Sequence, residues 1–297
     1  MGKDFFDTFS ALRVLFEEAE DACGLPLSKV MFDGDDDTLR QTQYAQPALF
    51  LMAASMVRIM EDECGIDVGC AFDCVAGHSL GEYSALYAAK ALDFSSVVGL
   101  IAARCKAMQT VKNGGMVAIL GLTIDEVRRV VHDVNTQGGM CAVSNENAVL
   151  QTVVSGQCDS LDHVARHALD QGAKKAVILN VSGPFHCGLM QAAQDAFMPA
   201  IKGVQWHTPV CGIVTNVTGR VQTSPDSIRQ HLGQQMTCPV LWVDTLRTVA
   251  ERGVQHCVEM GPGRVLAGLG RKTVPDIETV SVGTVDALMN WAQTIAS

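Results

Sequence analysis

The 297-residue sequence contains no apolar run that approaches the ~18 residues a membrane-spanning helix needs, so no membrane contact is expected. Its start, Met1-Gly2-Lys3-Asp4-Phe5-Phe6, carries no secretory h-region, so no signal peptide is read. Basic charge is also short. Lys and Arg number 22 against 32 Asp and Glu, a net charge of -10, which argues against a nucleic-acid partner. A local basic patch can still meet an acidic protein inside such a whole. No pair of C-x-x-C elements occurs among the 11 scattered cysteines, which argues against zinc and for reduced thiols packed as small apolar groups. That pattern places the protein in the cytoplasm, or in an organelle matrix if a transit peptide has been removed or omitted. His163 and His167 sit four apart, but Val164-Ala165-Arg166 between them supplies no catalytic Glu, so they read as a solvated helix face and no metal is expected. Internal repeats and low-complexity linkers are absent as well.

What is there reads as a well-cored enzyme. Hydrophobic residues make up 48% and charged residues 18%, and a chain of this length buries roughly three quarters of its unfolded surface. Helices are expected over 7–22, stopped by Gly24, and over 47–60, with Pro47 in the first turn. The stretch 34–38 reads as an acidic loop. A strand over 71–76 runs into a small-residue helix ending near Lys90, and Ser95 is the expected cap of a helix over 97–111. From Gly114 to Ser182 the order is β-α-β-β-α-β, a split βαβ, ferredoxin-like unit. A helix over 188–201, a strand over 210–216, helices over 227–235 and 240–251, and a strand over 254–260 follow. The expected fold is α/β: a large subdomain over 1–113 and 184–297, with a small subdomain over 114–183 as one wall of a cleft.

Gly77-His78-Ser79-Leu80-Gly81 lies between strand and helix, the G-x-S-x-G nucleophile-elbow pattern. A sharp turn exposes the serine oxygen, and glycines let strand and helix approach without a Cβ clash. The helix N-terminus stabilises developing negative charge, and the Leu80 N–H is placed to donate to an oxyanion. The bland alternative is an ordinary tight βα turn. A nucleophilic serine needs a base, and eight histidines are available. His186, in Gly183-Pro184-Phe185-His186, sits in a loop suited to a site; the alternative is a packed loop histidine. His78 is adjacent to the serine and would point away from its face, so it reads as packing. Arg104 lies mid-helix among Ala102, Ala103 and Ala107. It is either solvated or reaches inward, where a buried guanidinium needs a carboxylate.

Together these residues resemble the malonyl-CoA:acyl-carrier-protein transacylase family, which includes the acyltransferase domains of polyketide and fatty-acid synthases. The resemblance is carried by Thr42-Gln43-Tyr44-Ala45-Gln46-Pro47-Ala48-Leu49, by GHSLGEYSAL from Gly77 to Leu86, and by Arg104 through Met108-Gln109. It continues through Asn145-Glu146-Asn147, VSGPFHCGLM from Val181 to Met190, Gln235 to Trp242, and Glu259-Met260-Gly261-Pro262-Gly263. These stretches are collinear and cover nearly the whole chain.

The resemblance implies an α/β-hydrolase-like large subdomain with the ferredoxin-like insert. It implies Ser79 as nucleophile, His186 as general acid/base, and the main-chain carbonyl of Gln235 orienting the histidine in place of an acidic residue. Arg104 would pair bidentately with the free carboxylate of malonyl. Gln46, Asn147 and Phe185 would line the site, Phe185 matching the malonyl-preferring pattern. The implied reaction moves malonyl from coenzyme A to the phosphopantetheine thiol of an acyl carrier protein through a malonyl-serine ester, in fatty-acid or polyketide synthesis. No cofactor is implied, because the coenzyme A thioester is the substrate. Carrier proteins are acidic, so Lys174, Lys175, Arg264, Arg271 and Lys272 are candidates for a docking rim. One departure stands out. Family members open on a strand leading to F-P-G-Q-G, whose glutamine serves the oxyanion hole, and no such stretch occurs here. The expectation is therefore one strand and one oxyanion donor fewer, with an exposed sheet edge or apolar face; a lost donor costs about 10²–10³ in rate. Two rival readings follow: a serine thioesterase or hydrolase, and an impaired acyltransferase acting as a binding protein.

Overall fold

The computed structural model describes residues 1–296. Its strands, in chain order, are β1 (Cys74–Ala76), β2 (Gly115–Leu120), β3 (Cys141–Ala148), β4 (Gln151–Gly156), β5 (Lys175–Ile178), β6 (Gly212–Val214), β7 (Val221–Gln222), β8 (His256–Met260) and β9 (Glu278–Val282).

In the small subdomain the antiparallel order is β3-β4-β2-β5. That is the order of a βαββαβ ferredoxin-like unit, as the sequence expects. Local chemistry explains its helices. Thr123 and Glu126 form a reciprocal capping box at the start of helix Ile124–Thr136, satisfying donors the first turn leaves orphaned. Val127, Val130, Val131 and Val134 recur at helical spacing and are buried. They pack with Leu161 and Val164 of helix Cys158–Asp170 onto Val117, Ile119 and Val154 of the sheet. Each such apolar side chain stabilises by about 1.5–3 kcal/mol when fully buried.

The large subdomain holds β1 parallel to β6, with β7 antiparallel at the edge, and separately β8 parallel to β9. The two sheets do not pair with each other. An apolar slot of about 650 Å³ lies between β1 and β8, lined by Val75, Val258, Met260, Leu49, Val57 and Leu246 among others. Both strands thus carry one edge without a strand partner. The main core is built where Phe50 and Leu51, Leu86, and Val97 and Ile101 come together from three helices.

Several local expectations need correction. Helix Thr42–Asp62 starts a full turn earlier than expected and carries Pro47 inside it. Proline has no N–H to return to the carbonyl of Gln43, and burial of the helix's apolar surface outweighs that loss. The acidic stretch near Gly34 contains a short helix, Asp36–Arg40, because the Asp35 side chain accepts from the Thr38 N–H. Asp93, not Ser95, caps helix Phe94–Met108, accepting from the Ser96 N–H.

The subdomains are joined at the sheet edge. Ser144 and Glu146 of β3 exchange main-chain hydrogen bonds with Val240, at 2.9 Å each. No helix among the described residues is long and apolar enough to cross a membrane.

Candidate active site

β1 ends at Ala76, and the chain turns through Ser79 into helix Gly81–Ala88. The turn demands glycine at 77: a Cβ there would lie 1.9 Å from the Gly81 backbone. Gly81 meets no such obstacle, so the close approach rests on one glycine and not on both. Ser79 is held at φ 51°, a conformation non-glycine residues rarely adopt. Asn216, just past β6, straps this turn down. Its Oδ1 accepts from the Ser79 N–H at 2.7 Å, and its Nδ2 donates to the Gly77 carbonyl at 2.6 Å.

His186 stands opposite, also at positive φ (60°). Its loop is tied to the small subdomain where the Ser155 hydroxyl of β4 donates to the Phe185 carbonyl. The imidazole lies between two oxygens. Nδ1 is 2.9 Å from the main-chain carbonyl of Gln235, and Nε2 is 2.8 Å from Ser79 Oγ. A carbonyl only accepts, so Nδ1 carries the proton, Nε2 is the free lone pair, and the Ser79 hydroxyl donates to it. Burial, and then the positive charge of Arg104, push the His186 pKa down to about 3. The resting ring is therefore neutral and ready to accept a proton.

Arg104 is 2% exposed. Its guanidinium donates to Gln46 Oε1, to Ser79 Oγ at 3.1 Å and to Gln235 Oε1 at 3.2 Å, while Nε has no partner. The sequence reading requires a carboxylate for this buried cation. Among the described residues none lies within ion-pair distance of it; each partner is neutral. The Leu80 N–H donates to no protein acceptor among the described residues, which leaves it free one residue after the serine.

The structure thus brings Ser79, Leu80, His186, Arg104, Gln46 and Gln235 together. Phe185 is partly buried and packs on the main core beside them. Asn147 is placed otherwise: its Oδ1 lies 2.7 Å from His78 Nε2, whose ring packs edge-on against Trp242. His78 therefore links the elbow to β3. His167 pairs with Asp133 across the two small-subdomain helices at 3.1 Å, so it is not a bare solvated group. Lys174, Lys175, Arg264, Arg271 and Lys272 are all exposed. Lys272 Nζ donates to Gln151 Oε1 across the subdomain boundary at 3.0 Å.

Two residues escape the sequence reading, Asn216 and Glu82. Glu82 is fully buried one turn after the serine, a position where a carboxylate is unexpected among Tyr83, Ala85 and Leu86. That mismatch between residue type and helix face is a signal present in the sequence.

The acyl transferase domain profile matches residues 1–294. The chain belongs to that family. This acyltransferase is 32% identical to the malonyl CoA-acyl carrier protein transacylase of Bacillus subtilis (strain 168), over 99% of its own length and 92% of the relative's. Among solved structures, the acyl-carrier-protein S-malonyltransferase of Bartonella henselae superposes with a TM-score of 0.95 at 36% identity, covering 100% of this chain and 95% of that one. A malonyl-transacylase in complex with its type II polyketide acyl-carrier protein gives a TM-score of 0.93 at 32% identity, covering 99% and 94%. The acyltransferase therefore has the two-subdomain α/β-hydrolase-like fold.

Proposed function

We infer that this chain transfers malonyl from coenzyme A to the phosphopantetheine thiol of an acyl carrier protein. The observation that carries the reading is Arg104: a buried guanidinium with only neutral protein partners, bonded to the oxygen of Ser79. A substrate that brings its own carboxylate gives this guanidinium the direct ionic contact that no protein side chain among the described residues makes with it. Malonyl thioesters do so; acetyl thioesters do not.

His186 Nε2 takes the Ser79 proton as Oγ attacks the thioester carbonyl carbon. The Leu80 N–H donates to the resulting oxyanion. The carbon–sulfur bond breaks, the imidazolium returns its proton to the departing sulfur, and malonyl-serine remains. A carrier-protein thiol then repeats the sequence in reverse, with His186 as base. Gln235 orients the imidazole, Gln46 orients Arg104, and Phe185 bounds the acyl pocket. Asn147 acts from further out, through His78. Pairing the acyl carboxylate with Arg104 fixes the ester where a thiol reaches it.

No cofactor enters the proposed cycle. Lys174, Lys175, Arg271 and Lys272 are proposed as the rim that meets an acidic carrier protein. All eleven cysteines are free, in keeping with work in a reducing cytoplasm or organelle matrix.

The test is intact-protein mass spectrometry after mixing with malonyl-CoA in the absence of carrier protein. A lasting malonyl adduct on Ser79 is the expected result. An adduct that hydrolyses at once points to a thioesterase, and no adduct points to a binding protein.

A further inference from the structure

Both halves of the Ser79–His186 pair converge on one buried group that the reaction itself does not use. Glu82 is 0% exposed. Its Oε2 accepts from Gln235 Nε2 at 2.7 Å and from the Asn216 N–H at 3.3 Å, and its Oε1 is buried without a partner. Each of those two donors supports one member of the pair. Gln235 offers its main-chain carbonyl to His186 and donates from Nε2 to the Ser79 carbonyl at 2.9 Å. Asn216 holds the Ser79 N–H and the Gly77 carbonyl of the strained turn.

We propose that Glu82 is a positioning residue, holding Gln235 against His186 and Asn216 against Ser79 through one carboxylate oxygen. The proposal rests on the malonyl-transfer reading and deepens it. A buried carboxyl group that satisfies only one oxygen is costly to keep. The cost makes sense if the group does two things a neutral side chain does less well. It accepts charge-strengthened hydrogen bonds that fix the Gln235 turn. It also sets negative charge across Gln235 from the imidazole, which must become positive during attack. This site has no acidic residue on His186 Nδ1, so the charge arrives at one remove.

The charged and titratable groups around Glu82 are Arg104 on helix Phe94–Met108, Tyr83 on its own helix, and His186, reached through Gln235. The segments holding Asn216 and Gln235 face it with uncharged groups. Burial pushes the Glu82 carboxyl up to about 7, opposed by Gln235, the Asn216 N–H and Arg104. Its ionisation therefore falls inside the working range.

The test uses the full chain and malonyl-CoA, with quenched-flow measurement of the malonyl adduct on Ser79 across neutral pH. Glu82→Gln keeps the shape and one accepting oxygen and removes the charge; Glu82→Ala removes both. Wild type is expected to acylate faster as pH rises through about 7. E82Q is expected to lose that rise and to run about tenfold slower above it, with KM for malonyl-CoA unchanged. E82A falls further, by about 10²-fold. An E82Q with the rate and pH profile of wild type overturns the proposal. So does an E82Q whose loss tracks a lowered melting temperature, since that marks a purely structural role. If E82A fails to fold, E82Q decides. A wild-type chain that takes no malonyl group on Ser79 overturns the transfer reading itself, and the proposal with it.

Discussion

The guanidinium of Arg104 donates to the oxygen of Ser79 at 3.1 Å, so a buried cation touches the nucleophile before any substrate arrives. The same cation is the second cause, after burial, of the low basicity of His186. A substrate carboxylate that pairs with Arg104 therefore relieves the base while it positions the acyl group.

Replacing Arg104 with Ala is expected to cut malonyl turnover by about 10²-fold, the worth of a bidentate charged pair of about 3 kcal/mol. Acetyl turnover is expected to hold or rise, since that substrate makes no such pair and the base is freed. Parallel assays with malonyl-CoA and acetyl-CoA check this. Equal losses on both substrates would count against the role given to Arg104.

Ser79→Ala is expected to abolish the covalent adduct. His186→Ala is expected to slow its formation by about 10²–10⁴-fold, the usual worth of a general base. Time-resolved mass spectrometry of the intact chain reads both. An adduct that survives in Ser79→Ala would place the nucleophile elsewhere.

Stability should respond to pH in two opposed ways. His186 binds its proton far less readily in the folded chain (about 3) than when unfolded (about 6.5), so it costs stability as pH falls through that window. Glu82 is the reverse. Its folded value of about 7 exceeds the ordinary 4.5, so the folded chain binds more protons there and stability falls as pH rises from 4.5 to 7. Glu82→Gln should thus gain stability relative to wild type on going from acid to neutral pH. Thermal melts of both proteins at either end of that window measure it; an unchanged difference would refute the shift.

Asn216→Ala leaves the part-buried Ser79 N–H and the buried Gly77 carbonyl without partners. Destabilisation of about 1–3 kcal/mol is expected, together with slower acylation as Ser79 relaxes from its φ of 51°. Denaturant titration and adduct kinetics read the two effects separately.

Charge reversal at Lys174 and Lys175 should raise KM for carrier protein and leave self-acylation by malonyl-CoA unchanged, because both lysines are exposed and far in sequence from the elbow. An unchanged carrier-protein KM would dismiss this rim.

Motifs whose chemistry depends on neighbours in sequence are legible without coordinates. The elbow at Gly77–Gly81 and the β-α-β-β-α-β order of the insert follow from glycine placement and apolar periodicity. The pairing of Ser79 with His186, 107 positions apart, enters through resemblance, since spacing alone leaves several histidines open. Asn216 and Glu82 act through groups brought together from four separate segments, and no local pattern encodes that meeting. Helix Thr42–Asp62 shows a different limit. Proline chemistry favours a first-turn position, yet the helix begins five residues before Pro47, in a turn where Tyr44 packs against the main core and Gln46 is buried. The slot between β1 and β8 depends on how two sheets sit in space, which strand patterns do not specify.

The acceptor for the imidazole N–H is a peptide oxygen, and no codon change can delete a peptide oxygen. Substitutions at 235 will disturb the amide's contacts to Arg104, Glu82 and the serine carbonyl while the acceptor itself survives in some position. A mutational scan will therefore score this contact as tolerant even where it is indispensable. An ester in place of the amide between Gln235 and Met236, introduced by chemical synthesis or ligation, weakens that one oxygen and exposes its contribution directly.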